Sequence, residues 1–170
     1  VPEIDLSPLR NLTNLRYFCL FSDAVDIGDL SALENLTSLT HLYLSENNIS
    51  DISALGNLTN LTELYLAGNR ISDVSTLGNL TNLTELSLTY NNISDVSPLA
   101  NLTNLKHLYL LGNPISDASA LMNLTNLNEL NLRDTLVFGQ RLLDLQNALP
   151  NCTINNSSPE ELASRLFEVD

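Results

Sequence analysis

Tryptophan is missing from this chain of 170 residues, and Phe and Tyr together supply only 5 % of it. Two cysteines are too few for a disulfide-dense miniprotein. Basic residues are scarce as well: seven Lys and Arg stand against twenty Asp and Glu, a formal charge of −13. Neutralising phosphates takes clustered cations, so that balance argues against nucleic acid as a partner and against an anionic membrane surface. No apolar run approaches the roughly 20 residues of a membrane-spanning helix, so no membrane insertion is expected. Val1-Pro2-Glu3 carries neither the basic nor the apolar region of a secretory signal. What the chain has in excess is leucine, at 39 positions, and asparagine, at 23.

Those residues recur with a period. Leu58 to Asn79 reads LTNLTELYLAGNRISDVSTLGN, and the next stretch, Leu80 to Asn101, matches it at sixteen of 22 positions. The same frame fits the segments starting at Leu36, Leu102 and, more loosely, Leu124. A two-residue insertion near Ala24 to Gly28 separates Leu36 from an earlier copy at Leu12. One further step of 22 from Leu130 and Leu132 lands on Cys152 and Ile154, which predicts a seventh, degenerate strand. Each unit reads LxxLxxLxLxxNxIxDhxxL, with h apolar. The Leu-x-Leu step has the period of a strand, so both leucines point to one side. A single unit cannot bury its leucines; stacked units form a continuous core. Parallel strands are therefore expected near Cys19, Tyr43, Tyr65, Ser87, Tyr109, Asn131 and Thr153.

This pattern resembles the leucine-rich-repeat family, from about Leu6 to Ile154. The NLTNL and ISDVSPL phrases look like the bacterial internalins, and the eukaryotic phosphatase-regulating class is the nearest alternative. The resemblance implies an α/β solenoid: a right-handed superhelix with a parallel, concave sheet and 3₁₀ turns and loops on its convex side. It places the solenoid at residues 1–154 and a helical C-terminal cap at residues 155–170. Internalins usually carry a helical cap before the first repeat. Ile4 to Leu9 here look like the tail of a repeat, so residues upstream are expected. At the other end, Leu142, Leu145 and Leu149 share one face of a helix that Pro150 stops. Ser158, Pro159 and Glu161 form a capping-box start for a second helix, with a stripe of Leu162, Ala163, Leu166 and Phe167.

Several columns invite a chemical reading and are better explained by the scaffold. Asn47, Asn69, Asn91 and Asn113 end each strand and are expected to bond backbone groups, with Asp23 and Thr135 in their place in the outer repeats. Asp29, Asp51, Asp73, Asp95 and Asp117 are expected to cap the turns that follow, since they lie one per coil and a calcium site needs converging ligands. Asn11, Asn35, Asn57, Asn79, Asn101 and Asn123 each begin an Asn-Leu-Thr acceptor for glycosylation, but their fixed place in the repeat suggests a turn role. Cys19 and Cys152 are about 29 Å apart by strand spacing and should be free thiols, Cys152 buried in a leucine column. His41 and His107 are about 14 Å apart, too far to share a metal. No phosphate loop or nucleophile motif is found, so no catalytic, cofactor or metal site is expected.

What varies between repeats is the outward face of the strands. One column holds Tyr17, His41, Glu63, Glu85, His107 and Glu129; the next holds Cys19, Tyr43, Tyr65, Ser87, Tyr109 and Asn131; a third holds Phe21, Ser45, Ala67, Thr89, Leu111 and Arg133. With Tyr90, all five tyrosines face this side, and Phe21 and Leu111 are expected to be exposed beside them. Tyrosine brings contact area and a polar tip at low entropy cost. The expected function is recognition of another protein, one with a basic patch to meet the acidic column. The internalin likeness implies a secreted or surface-attached bacterial protein. An intracellular scaffold holding an enzyme, or a spacer for another domain, are the alternatives.

Overall fold

A computed structural model describes residues 3–21 and 26–167, with the side chains of residues 165–167 left aside. Seven strands pair in parallel and in chain order: β1 (Tyr17–Cys19), β2 (His41–Tyr43), β3 (Glu63–Tyr65), β4 (Glu85–Ser87), β5 (His107–Tyr109), β6 (Glu129–Asn131) and β7 (Thr153–Asn155). Two helices follow the regular coils, α1 (Gln140–Ala148) and α2 (Pro159–Phe167). Short 3₁₀ turns such as Ser53–Leu55 and Ser75–Asn79 return the chain from one strand to the next.

The leucine columns make one core. Leu42, Leu64, Leu86, Leu108 and Leu130 pair in register across the sheet and are fully buried, as are Leu44, Leu66, Leu88, Leu110 and Leu132. Ile71, Ile93, Val74, Val96, Leu77 and Leu99 close the back of the coils. Stacking is the only way these leucines leave water, because each coil is one side chain deep.

The first six strands are centred one residue before the expected positions, on Phe18 in β1 and on a buried leucine in β2–β6, whereas β7 is centred one residue after, on Ile154. The last strand departs further. Ile154 pairs with Leu130 and Asn155 with Asn131, a step of 24 in place of 22. Cys152 therefore misses the leucine column and is only half-buried, while Ile154 fills the place expected for Cys152. The cause lies in α1, which occupies this coil. An α-helix advances about 1.5 Å per residue where a 3₁₀ turn advances about 2.0 Å, so crossing the same distance takes more chain. The corresponding two-residue excess between β1 and β2 is present in the register, Phe18 with Leu42. Ala24 and Val25 of that insertion, with Asp23, lie outside the described residues.

The asparagine column does what the repeat predicts. Asn69 Nδ2 donates to Leu44 O at 2.9 Å and Leu66 O at 3.0 Å, while its Oδ1 accepts from Ile49 N at 2.8 Å. Asn91 and Asn113 repeat the pattern. The aspartate column also behaves as expected: Asp51, Asp73, Asp95 and Asp117 each accept the N–H of the serine two residues on, at 2.8–2.9 Å, where the 3₁₀ turn begins. Those N–H bonds are the first cause of carboxyl pKa values held below the usual range. Asp5 and Asp29 share this arrangement.

The Asn-Leu-Thr asparagines lie in the turns, as expected, but their side chains do not bind there. Asn35, Asn57, Asn79, Asn101 and Asn123 are exposed and make no side-chain hydrogen bond. The ladder on that ridge comes from the second asparagine of the phrase: Asn60, Asn82, Asn104 and Asn126 donate to Thr37 O, Thr59 O, Thr81 O and Thr103 O at 2.7–2.8 Å. At the C-terminal end, Ser158 and Glu161 form the reciprocal capping pair, N–H to Oε2 at 2.7 Å and N–H to Oγ at 3.1 Å. In α2 Leu162 is half-buried, but Ala163 is exposed and does not join the expected stripe; the side chains of Leu166 and Phe167 lie outside the described residues.

Candidate functional site

Strand pleating sends alternate side chains to opposite faces, so the residues flanking each buried leucine emerge together on the outer face of the sheet. Register makes them neighbours. His41, Glu63, Glu85, His107 and Glu129 form one row across β2–β6, and Tyr43, Tyr65, Ser87, Tyr109 and Asn131 form the next.

The aromatic residues do not stand singly. Tyr17 and Tyr43 meet edge to face with ring centroids 5.2 Å apart, and Tyr43 and Tyr65 do so at 4.8 Å. His41 lies against Tyr17 at 5.9 Å. This herringbone fits the ring quadrupoles, which favour an edge against a face. Ser87, though it belongs to the outward row, is buried between Tyr65 and Tyr109 in register.

Three of the tyrosines also cross to the acidic row. Tyr43 Oη donates to Glu63 Oε2 at 2.5 Å, Tyr65 Oη donates to Glu85 Oε1, and Tyr109 Oη reaches Glu129 Oε2 at 3.3 Å. Partial burial, then the bonded carboxylate, pushes the Tyr43 and Tyr65 phenols up from their ordinary value, so they stay protonated and remain donors. The histidines flank the acids: His41 Nε2 is 3.5 Å from Glu63 Oε1, and His107 Nδ1 is 3.9 Å from Glu85 Oε2. The repulsion expected between Glu63 and Glu85, opposite each other in register, is thus eased by the phenol that each carboxylate accepts from. These cross-strand bonds are not among the expectations drawn from the repeat. Their signal was present in the sequence as a Tyr–Glu separation of 20, two less than the repeat.

Not every candidate joins this cluster. Phe21 is 63 % exposed just past β1, which among the described residues pairs with β2 alone. Leu111, expected to be exposed, is half-buried, because flanking coils cover it on both sides. Tyr90 is 57 % exposed and stands beyond the strand, at φ +51°, with its ring over Gly112. Phe21, Tyr43, Ser45 and Tyr65 bound a shallow, mainly apolar cup of ≈ 270 Å³. Both cysteines are free thiols, and among the described residues no three His, Cys, Asp or Glu side chains converge as metal ligands do. No described helix is long and apolar enough to cross a membrane.

Comparison with known proteins agrees with this geometry. The profile of leucine-rich repeats in two copies matches residues 37–79, 59–101 and 81–121, half of the chain. No curated protein matches the sequence significantly. Among solved structures, internalin C2 of Listeria monocytogenes is similar at 36 % identity and a TM-score of 0.84, over 90 % of this chain and 66 % of that one. A second internalin of that organism, inlF, is similar at 37 % identity and a TM-score of 0.83, over 98 % of this chain and 49 % of its own. A leucine-rich-repeat protein of Leptospira interrogans is similar at 26 % identity, TM-score 0.80, over 89 % of this chain and 40 % of its own. The chain thus spans less than two thirds of the length of each.

Proposed function

The chain belongs to the leucine-rich-repeat family, and from that premise we propose that the concave face of its sheet is the docking surface for another protein. The observation that carries this reading is the aromatic row, in which Tyr17, Tyr43 and Tyr65 pack edge to face and two of the three phenols are tied to carboxylates. Side chains already fixed in the free protein lose little entropy on docking. Tyr43, Tyr65 and Tyr109 are the anchors; Tyr17, Phe21, Tyr90 and Leu111 extend the apolar surface. His41, Glu63, Glu85, His107 and Glu129 form the polar row and favour a partner with basic residues. The likeness to listerial internalins supports a secreted or surface-attached bacterial setting, which fractionation of the source cells followed by immunoblotting would test.

The functional test is the affinity of a captured protein ligand for Tyr65→Ala and Tyr109→Ala. Truncating an anchor of this kind costs about 2 kcal/mol, or about thirtyfold in Kd. Both variants folded and binding as the parent does would remove the concave assignment.

A further inference from the structure

Within the docking surface the cup bounded by Phe21, Tyr43, Ser45 and Tyr65 has a chemistry of its own. We propose that it is a socket for one cationic side chain of the partner protein, an arginine or a lysine, whose aliphatic stem lies along the rings while its charged head meets the π faces and the adjoining carboxylates. The inference rests on the docking reading and adds the identity of the group that is recognised.

Three features carry it. First, the walls are aromatic and already oriented: Phe21, Tyr43 and Tyr65 line the hollow, and the Tyr43 and Tyr65 rings are packed against each other at 88° with centroids 4.8 Å apart. A cation is drawn to the negative face of such rings, and arginine adds planar stacking on them. Second, both phenols donate to carboxylates, Tyr43 to Glu63 and Tyr65 to Glu85. A phenol whose proton is shared with an anion has a more electron-rich ring, which deepens the potential that a cation feels. The same bonds hold the two carboxylates beside the rings. Third, the surroundings select charge. Glu46, Glu63, Glu85 and Glu129 lie on or beside this face, Arg133 stands three coils away from Tyr65, and the whole chain carries −13. An acidic partner segment is repelled from such a face and a basic one is steered to it. The acid row continues along β3, β4 and β6, past the reach of any single small amine. A protein segment with spaced cations uses all of it.

The socket is testable without the partner. Tyrosine is present five times only, so ring-labelled protein gives few and assignable NMR signals. The probe is Nα-acetyl-arginine N-methylamide. Its neutral isostere, the citrulline derivative, and the norleucine derivative serve as comparisons, each titrated at low and high salt. Saturable shifts are expected at Tyr43 and Tyr65, with Tyr90 and Tyr109 as internal references. Citrulline should bind about two- to fivefold more weakly than arginine, as the loss of an exposed cation–π contact implies. Glu63→Gln with Glu85→Gln should weaken the arginine response, and so should Phe21→Ser, whose exposed site leaves the fold intact. If citrulline or norleucine moves the same signals as strongly as arginine, the cup is an apolar pocket and the proposal is overturned. Shifts spread evenly over all five tyrosines overturn it too. A null titration beside a partner that still needs Tyr65 and Tyr109 removes the socket alone. A partner indifferent to those residues removes the docking reading, whatever the titration gives.

Discussion

Single residues hold the coils in phase. Asn91 satisfies two buried carbonyls, Leu66 O and Leu88 O, and the buried N–H of Ile71, none of which water reaches. Asn91→Ala orphans them, and each buried unpaired group costs about 1–3 kcal/mol. A urea midpoint lowered by the equivalent of about 2 kcal/mol or more is expected, and one within experimental scatter of the parent would contradict the ladder's role. This column was legible in the sequence because Asn recurs at fixed phase with buried neighbours. Tyr90 was legible only as an outward aromatic. Its left-handed backbone could have been suspected from Gly68 and Gly112 at the equivalent places one coil to either side, both at positive φ. A bulky residue at φ +51° is strained, and Gly112 is where its ring rests. Gly112→Ala should cost about 1–2 kcal/mol for its own φ of +72° and more for the collision with Tyr90. Adding Tyr90→Ala should recover the collision and leave the φ cost. Additive urea midpoints in the double variant would show that the ring and the glycine do not meet.

At the scale of turns and strands, the aspartates act as a set. Their carboxyl pKa values are lowered in the folded chain, chiefly by serine N–H donors, so their contribution to stability is complete above the unfolded value of about 4 and is lost as the pH falls through the lower folded values. Replacing Asp51, Asp73 and Asp95 together with Asn should flatten the fall in urea midpoint between pH 5 and pH 2 relative to the parent; a parallel fall would rule these caps out as the cause. The strand face has its own charge test. Glu63→Gln with Glu85→Gln should slow association with a partner at low salt and matter less as salt rises, since exposed charges are screened over about 8 Å at physiological ionic strength. Equal rates for parent and variant across the salt series would mean that the pair takes no part in steering the partner. The turns were readable from the repeat, because an Asp two residues before a Ser recurs at each one. The presence of the seventh strand was readable too, but its register was not. Its register depends on how far α1 carries the chain, and a period of 22 assumes that each coil returns by a 3₁₀ turn.

The whole molecule is a stack in which every leucine column runs the length of the core, and the fold follows from that repetition almost without tertiary information. The site follows less directly. The outward columns could be listed from the repeat, but the herringbone, the burial of Ser87 and the partial cover over Leu111 arise from neighbours on both sides, which no single repeat contains. The claim that unites these observations is that a partner protein seats on the tyrosine row. Its most direct test compares the Kd of one purified partner for three forms of the protein. These are the parent, a face variant with Tyr43, Tyr65 and Tyr109 changed to Ala, and a ridge variant with Asn57, Asn79 and Asn101 changed to Ala. The ridge asparagines are exposed and make no side-chain hydrogen bond, so they report on a surface of similar extent away from the sheet. With all three forms folded by circular dichroism, the account predicts parental affinity for the ridge variant and a loss of at least about a hundredfold for the face variant. Unchanged affinity for the face variant, or an equal loss from the ridge, would contradict it.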